Sequence, residues 1–192
     1  MKYIVSDIFQ GNYPITQRYG ENSQYYQQFG LKYHEGVDWG TPVGVNVLAP
    51  FENNKVLRNG WDPVYGNYLV VWDPKQLCAI WYCHLSIIAC KPGDTPVRGT
   101  VLGKTGNSGN STGAHLHVNF CLTDAFANRL NTGNGTLGFL NILDPNLVEW
   151  KLAGSAPPPM TAEEQVKAIK SKINTAITDT DFRNWTRTLL GV

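Results

Sequence analysis

The chain has 192 residues, a length that suits one ordinary domain with a short appendage. Its formal net charge of +1 gives no indication of a nucleic-acid partner or of an anionic membrane surface. No stretch of about 18 consecutive apolar residues occurs, so membrane insertion is not expected. The 19 glycines and 11 prolines favour a turn-rich β protein.

Residues 1–20 do not have the pattern of a signal peptide, because they lack a charged region, a continuous apolar core and a cleavage site. We therefore expect the chain to be made in the cytoplasm. If the protein acts outside a cell, something other than this chain must take it there.

A polar and aromatic segment leads into the first motif. Gln24–Tyr33 is predicted to be a loop flanking a site, and His34-Glu-Gly-Val-Asp38 follows it. Gly36 argues against a helix, so His34 and Asp38 are placed on a loop that runs into a strand. One histidine and one carboxylate, completed by a histidine from elsewhere, make a three-ligand zinc site whose fourth position stays open for water.

Short strands separated by turns are predicted between Gly44 and about Phe120. β-branched or aromatic runs occur at Val45–Pro50, Tyr68–Trp72 and Ala79–Leu85, bounded by Asn-Gly, Asp-Pro and Pro-Gly-Asp turn signals. Strands this close together predict antiparallel pairing, because crossover helices have no room. The third run includes His84, which is available for general acid or base catalysis.

Four cysteines, Cys78, Cys83, Cys90 and Cys121, have no C-x-x-C spacing. A zinc site made of cysteines alone is therefore not expected. Buried reduced thiols that pack as small apolar side chains are the favoured interpretation, and a disulfide is not expected.

The stretch Gly103–Phe120, GKTGNSGNSTGAHLHVNF, begins like a phosphate-binding loop and ends like half of a metal site. The phosphate-loop interpretation fails, because the required first glycine falls on Arg98 and helix breakers follow the lysine. On a strand, His115 and His117 point to the same face, which we expect to be solvated. Leu116, Val118 and Phe120 then point to the opposite, buried face.

The composition changes abruptly at residues 153–160, where a run of prolines predicts a stiff linker. Thr161-Ala-Glu-Glu164 fits a helix capping box, and apolar residues follow at helical spacing. Residues 161–192 are therefore predicted to form a short helical hairpin. Because so short a hairpin cannot bury its own apolar stripe, we expect it to dock on the main domain, on another copy or on a particle protein.

The chain has 4 histidines, and each lies in a motif-like neighbourhood. A lone histidine is more often structural, but four with an aspartate at ligand spacing favour a metal site. The order H-x-x-x-D, then HLS, then G-x-S-T-G-x-H-L-H resembles the lysostaphin-type (LytM-like) zinc endopeptidases, which cut peptide bonds in bacterial peptidoglycan. Further matching motifs are Gly40-Thr-Pro-Val43, Gly66-Asn-Tyr68, Pro92-Gly-Asp94 and Asp144-Pro145, so the resemblance covers most of residues 12–150.

The resemblance implies that His34, Asp38 and His117 bind Zn²⁺ and that His84 and His115 form a catalytic pair. Many relatives carry an acidic residue where this chain has Asn119. By strand alternation Asn119 faces the same way as His117, so this change affects the surroundings of the metal and removes no ligand.

The implied fold is mainly β: a compact antiparallel β-sheet or sandwich domain over residues 1–152, with the metal centre in a groove, followed by the linker and the helical hairpin. The implied reaction is hydrolysis, in which zinc polarises the scissile carbonyl and activates water. One of His84 and His115 accepts the water proton and the other holds the oxyanion, and sequence leaves open which does which.

The expected function is zinc-dependent hydrolysis of peptidoglycan peptides, in the cross-bridge or the stem peptide, by a phage lysis enzyme or a particle-associated wall hydrolase. The alternative is a non-catalytic peptidoglycan-binding or assembly component of the same fold. Aromatic residues in loop-like segments are candidates to line a groove for the peptide, although ordinary packing also explains them: Tyr13, Tyr25, Tyr26, Tyr33, Trp39, Trp61 and Tyr65.

Overall fold

The computed structural model describes residues 2–130 and 137–151. These residues form a mainly β domain whose two larger sheets are antiparallel, as the sequence predicts. The predicted linker at 153–160 and the predicted helical hairpin at 161–192 lie outside the described residues. Within the described part of the chain, no helix has the length and apolar composition that a membrane span requires.

The elements in chain order are β1 (Tyr3–Ser6), β2 (Ile15–Gln17), α1 (Ser23–Gln27), β3 (Val37–Trp39), β4 (Asn46–Leu48), β5 (Lys55–Asp62), β6 (Gly66–Asp73), β7 (Cys78–Leu85), β8 (Ile87–Ile88), β9 (Val101–Lys104), β10 (Leu116–Leu122) and β11 (Val148–Lys151). The three runs predicted as strands correspond to β4, β6 and β7. The segment predicted as a loop at Gln24–Tyr33 begins inside the short helix α1, so that prediction was wrong for its first residues.

A six-stranded sheet in the order β2-β3-β10-β7-β6-β5 carries the site. Every neighbouring pair in it is antiparallel, and β10 lies between β3 and β7. The register sets His117 of β10 opposite Asp38 of β3 on one side and opposite Cys83 of β7 on the other. Two residues that the sequence assigns to metal binding are thus direct neighbours across a strand pair.

One face of this sheet forms the main hydrophobic core. Leu116, Val118 and Phe120 alternate along β10 and are fully buried, as the sequence predicts. They pack with Ile80 and Tyr82 of β7. The Tyr82 hydroxyl donates a hydrogen bond to the Leu48 carbonyl at 3.0 Å, so its burial leaves no unpaired donor.

Two smaller sheets contribute to the same core. One has the order β4-β9-β8, and the other pairs β1 with β11. The β1–β11 pair is parallel, with Val5 opposite Trp150. It lies outside Gly44–Phe120, where antiparallel pairing is predicted, and differs from the antiparallel fold that the resemblance implies. Parallel pairing is available here because the two strands come from opposite ends of the domain and need no tight turn between them.

On the opposite face of the sheet, an apolar cluster covers one end. Phe139 packs there against Val70, Trp72, Ala79 and Cys121 in a second apolar cluster. The cover does not extend along the whole of β10, because the polar residues of its first half, His117 and Asn119, line a cavity instead. The site therefore lies on β10 beside the apolar cluster, where buried polar side chains border a cavity.

Candidate metal centre

Three donor atoms converge at the start of β10. His34 Nε2 lies 3.0 Å from His117 Nδ1 and 3.3 Å from Asp38 Oδ1. His117 Nδ1 lies 2.8 Å from Asp38 Oδ1. In a tetrahedral zinc site with bonds of about 2.0–2.1 Å, neighbouring ligand atoms are about 3.3–3.4 Å apart. The triangle therefore has nearly the size of one face of such a site, and its donor set fits zinc.

The orientation of His34 is fixed by the backbone. Its Nδ1 lies 3.0 Å from the carbonyl oxygen of Arg18. Because a carbonyl oxygen can only accept, Nδ1 carries the proton and Nε2 presents its lone pair to the triangle. A hydrogen bond on the far ring nitrogen is the usual way in which proteins orient a metal-binding histidine.

His117 enters the triangle through the other ring nitrogen. Turning Nδ1 towards Asp38 leaves Nε2 buried, and it has no hydrogen-bond partner among the described residues. An unpaired buried polar group is costly, and coordination at Nδ1 offsets that cost. His117 is only 8% exposed, so the prediction of a solvated face was wrong at this position. The loop between His34 and Asp38 covers the ring, which the local sequence does not show.

Glycine is required in that loop by close packing. A Cβ atom at Gly36 would lie 2.5 Å from Cε1 and 2.6 Å from Nε2 of His117. No side chain larger than hydrogen fits without displacing the imidazole. Gly36, which argues against a helix in the sequence, thus also allows the loop between His34 and Asp38 to lie directly on the His117 ring.

The protonation states suit metal binding. Burial alone would raise the pKa of Asp38, but the hydrogen bonds and charge interactions with His117 and His34 outweigh burial and hold this pKa well below its usual range. Burial lowers the pKa of His117, although Asp38 opposes this effect. At neutral pH the site therefore offers one carboxylate and neutral imidazole, which are the ligand forms that zinc binds.

His84 stands beside the triangle at the end of β7. Its Nδ1 lies 2.7 Å from the Ser108 carbonyl oxygen, so Nδ1 carries the proton and Nε2 is free to accept one. Burial lowers the pKa of His84 to about 4, while the hydrogen bond to Ser108 acts in the opposite direction. The backbone of His84 has φ 59°, a left-handed conformation that is uncommon for a residue other than glycine.

The Ser108 carbonyl that orients His84 is held in place by β6. A Cβ atom at Gly66 would lie 2.3 Å from the Ser108 carbonyl oxygen, so only glycine allows this approach. The Ser108 hydroxyl accepts from the Asn67 N–H and donates to the Leu85 carbonyl, both at 2.9 Å. The Gly66-Asn-Tyr68 motif therefore supports a histidine that is distant from it in sequence.

His115 lies just before β10, and its ring centroid is 4.6 Å from that of His84. Its Nδ1 lies 2.8 Å from the Gly113 carbonyl oxygen and 3.1 Å from the Ser111 hydroxyl. Its Nε2 lies 3.8 Å from Asp38 Oδ1. The structure thus brings all five predicted site residues together, with His84 and His115 on one side of the donor triangle. Their catalytic roles remain predictions.

Two polar residues lie around the ligands: Asn119, which the sequence places beside the metal, and Glu35, to which it assigns no role. Asn119, buried on the same face as His117, donates from Nδ2 to the Glu35 carbonyl at 2.8 Å. The Glu35 carboxylate accepts the Leu137 N–H at 2.9 Å. Strand alternation predicts the direction of Asn119, but its partner lies 84 positions away in sequence and only the fold reveals it.

A cavity of about 340 Å³, here called the cleft, opens above the donor triangle. All five predicted site residues line it, and its aromatic walls are Tyr25, Tyr26, Phe29 and Tyr65. Tyr26 stacks on His34 with ring centroids 5.3 Å apart. The cleft is large enough for several atoms of a peptide and places them over the metal-binding atoms.

The predicted groove aromatics divide into two groups. Tyr25, Tyr26 and Tyr65 line the cleft. The others do not: Tyr13 and Trp39 pack against Phe9, Tyr33 is within hydrogen-bond distance of the Tyr19 hydroxyl, and Trp61 is exposed on β5. For these four residues, packing or simple exposure was the better explanation.

The cysteines take no part in the donor triangle. All four are free thiols, and Cys78, Cys83 and Cys121 are buried. Burial raises the pKa of the Cys83 thiol well above its usual value, so it stays protonated and unreactive beneath the site.

A His–Asp–His donor set with two further histidines beside it, all facing one cleft, defines the class of metal-dependent hydrolases. Residues 32–128, half of the chain, match the family model described as peptidase family M23. The chain therefore belongs to peptidase family M23, and the domain that it carries is a metalloendopeptidase domain. The resemblance, the fold class and the zinc cofactor predicted from the sequence are thereby confirmed.

Among curated relatives, glycyl-glycine endopeptidase ALE-1 of Staphylococcus capitis is 34% identical over 108 residues, which cover 56% of this chain and 29% of that protein. Peptidoglycan DD-endopeptidase ShyA of Vibrio cholerae is 36% identical over 84 residues, which cover 44% of this chain and 19% of that protein. The similarity thus spans about a fifth to a third of these longer relatives.

Among solved structures, the catalytic domain of the antimicrobial peptidase lysostaphin from Staphylococcus simulans superposes with a TM-score of 0.53 at 25% identity. The superposition covers 68% of this chain and 90% of that domain. The sheet that carries the donor triangle therefore belongs to the same fold as this peptidase domain.

Proposed function

We propose that this chain is a zinc-dependent endopeptidase that hydrolyses peptide bonds in bacterial peptidoglycan, in the cross-bridge or in the stem peptide. The observation that carries the proposal is the donor triangle of His34, Asp38 and His117 beneath a cleft that the imidazoles of His84 and His115 also line. The relatives are named as endopeptidases of glycyl-glycine and of peptidoglycan D,D bonds, which supports this substrate class.

When bound, zinc polarises a carbonyl and lowers the pKa of water to about 7. The residues of this chain supply the proton transfer. Both Nδ1 atoms of His84 and His115 face backbone carbonyls, so both Nε2 atoms face the cleft as acceptors. One accepts the proton of the attacking water and passes it to the leaving amine. The other takes a proton from solvent at Nε2 and donates it as a hydrogen bond to the oxyanion. Because each ring has a backbone carbonyl at Nδ1, either can take either role, and kinetic measurements on the two variants assign them.

The walls of the cleft suit an extended peptide. Tyr25, Tyr26 and Phe29 line it together with Val64 and Tyr65. Aromatic walls bind a peptide backbone with little demand on side-chain identity, and the polar floor lies where the scissile carbonyl must sit. This arrangement admits both a glycine-rich cross-bridge and a stem peptide.

The test is digestion of purified peptidoglycans of differing cross-link chemistry, followed by mass spectrometry of the products. Wild type, chelator-treated wild type and His117→Ala are compared in parallel. New amino termini that appear only with the intact metal site are expected, and their identity names the bond. A protein that binds zinc stoichiometrically but releases no new termini from any wall would instead indicate the non-catalytic binding or assembly role.

For the biological setting, we propose a phage lysis enzyme or a particle-associated wall hydrolase that acts on the cell wall after release or as part of the particle. The sequence of residues 161–192, with apolar residues at helical spacing, supports a docking role for that segment. Size-exclusion chromatography of the full chain against a 1–152 truncation tests this role. Equal monomeric behaviour and equal activity would rule out assembly through the segment.

A further inference from the structure

Two exposed arginines lie over one tryptophan on the same sheet face as His117. The Cζ atoms of Arg58 and Arg129 are 4.6 Å and 5.9 Å from the centroid of the Trp81 ring. The strand register places this group in one row across four strands: Arg58, Val70, Trp81 and Asn119. Residues directly opposite in antiparallel strands share a face, so the row leads from the arginines to the floor of the cleft.

The arginine pair, Arg58 and Arg129, has no acidic partner within the described part of the chain. The ion pairs found there join Arg98 to Glu52 and the site histidines to Asp38. Two guanidinium groups near one ring repel each other, and the ring compensates them only in part. The arrangement is therefore suited to an anion that the described residues do not provide.

The pair is held by the fold rather than by chance side-chain positions. Arg129 forms a β-bridge with Thr123 at the base of a tight turn, and the Asp124 carboxylate accepts the N–H groups of Phe126 and Asn128 at 2.8 and 2.9 Å. The Arg129 guanidinium also lies over Phe139 at 4.7 Å. Such pre-positioning reduces the entropy lost when a ligand binds.

Tyr65 connects the arginine pair with the metal centre. Its ring centroid is 6.3 Å from that of His117 and 6.1 Å from that of Trp81, and Tyr65 is a wall of the cleft. Trp81 is opposite Asn119, which follows His117 by two positions on β10. From strand spacings, the step from His117 to Trp81 is about 8 Å, the length of two to three extended residues.

We propose that Arg58 and Arg129 bind a carboxylate of the peptide substrate, two to three residues from the scissile bond, and thereby determine which peptides are cleaved. This inference rests on the proposed peptidoglycan endopeptidase function. Guanidinium groups bind carboxylates through paired, charge-assisted hydrogen bonds, so a carboxylate fits better than a neutral amide. The arginines contact substrate away from the reacting atoms and act on specificity.

The experiment compares Arg58→Gln, Arg129→Gln and the double variant with wild type. The control removes two positive charges elsewhere through Lys75→Gln and Lys91→Gln, both exposed and outside the row. The substrate is the peptidoglycan that wild type digests best, used native and after chemical amidation of its free carboxyl groups. Each arginine substitution is expected to lower kcat/KM on the native wall roughly tenfold, chiefly through KM.

On the amidated wall the arginine variants are expected to match wild type, and the lysine control is expected to match it on both walls. Equal losses on the two walls, or no loss on either, would overturn the inference. Zinc content serves as a folding check, because neither arginine contacts a ligand.

A binding measurement separates this inference from the proposed function. Chelator-treated wild type and double variant are sedimented with native and amidated peptidoglycan, which requires no catalysis. Retention of wild type that depends on free carboxyl groups and on both arginines supports the inference even if no wall is cleaved. If wild type sediments equally with native and amidated peptidoglycan, and the protein does cleave the wall, the inference is overturned and the proposed function is still supported.

Discussion

The two faces of β10 differ in what their residues need from the rest of the fold. Leu116, Val118 and Phe120 are buried against many apolar partners, and another apolar side chain of similar size would serve there. His117 and Asn119 on the other face are also buried, but each depends on a specific atom of the loop that follows α1. Both faces are therefore buried, but only the residues of the polar face depend on particular hydrogen-bond or metal-site partners.

Among substitutions on the polar face, removal of the metal ligand His117 should have the largest effect. We expect His117→Ala to abolish zinc binding and to reduce hydrolysis at least about a thousandfold, because one of the three ligands of a catalytic site is removed. Metal analysis and wall digestion are the measurements. His115→Ala, one position before the same strand, is the matched control and should keep its zinc; loss of zinc in that control would show that the ligand assignment is wrong.

A substitution at His84 tests whether proton transfer can be lost while metal binding is kept. We expect His84→Ala to keep stoichiometric zinc and to lose about 10²–10⁴-fold in kcat, the usual contribution of a positioned acid or base. Zinc content and initial rates on the same sample give both quantities. Full activity of this variant would contradict a catalytic role for His84.

On the apolar face, Phe120→Ala should cost stability and leave the chemistry intact. Phe120 is fully buried and contacts Tyr3 with ring centroids 5.7 Å apart. We expect the free energy of unfolding to fall by about 3–5 kcal/mol. Denaturant unfolding measures the loss, and the zinc content of the folded fraction should equal that of wild type. A selective loss of zinc would show that the two faces are coupled.

Acid should destabilise the metal-free protein because His84 must take up a proton on unfolding. The pKa of His84 falls from its ordinary 6.5 to about 4 on folding, so between these values the unfolded chain binds more protons. Stability is therefore fully present above about pH 6.5 and is lost as the pH falls towards 4, by about 2–3 kcal/mol. Unfolding at several pH values measures the slope, and His84→Gln should flatten it; an unchanged slope in that variant would assign the effect to other groups.

The smallest effect is expected at Asn119, which acts on the ligand loop through the Glu35 carbonyl. Removal of an outer hydrogen bond of this kind typically weakens metal affinity 10–100-fold. We expect Asn119→Ala to show such a loss in competition with a chelator, with kcat at saturating zinc close to wild type. Asn119→Asp, which cannot donate to a carbonyl, should behave alike; retained affinity in both variants would exclude a positioning role.

Much of the polar face could be predicted from the chain itself. Alternation along β10 assigns Leu116 and His117 to opposite faces, because side chains in a strand repeat every second residue. The spacing of His34 and Asp38 around a glycine indicates ligands on a loop that enters a strand, and β3 does begin at Val37. These features are local, so the sequence within a few residues is sufficient to determine them.

Other features depended on contacts between distant segments. His117 and Asp38 are 79 positions apart, and only the register of β10 against β3 brings their atoms within 2.8 Å. The same packing buries His117, which local alternation places towards solvent. The parallel pairing of β1 with β11 likewise has no local signal, because the strands come from opposite ends of the domain.

The sequence by itself determined the types of ligand, the strand that carries His117 and the glycine between the first two ligands. The tertiary structure decided which ring nitrogen each histidine presents, because that choice depends on distant carbonyl groups of Arg18, Ser108 and Gly113. It also placed Arg58 and Arg129 over Trp81. Residue types follow from local chemistry, whereas atomic orientation follows from hydrogen bonds and packing that only the folded chain provides.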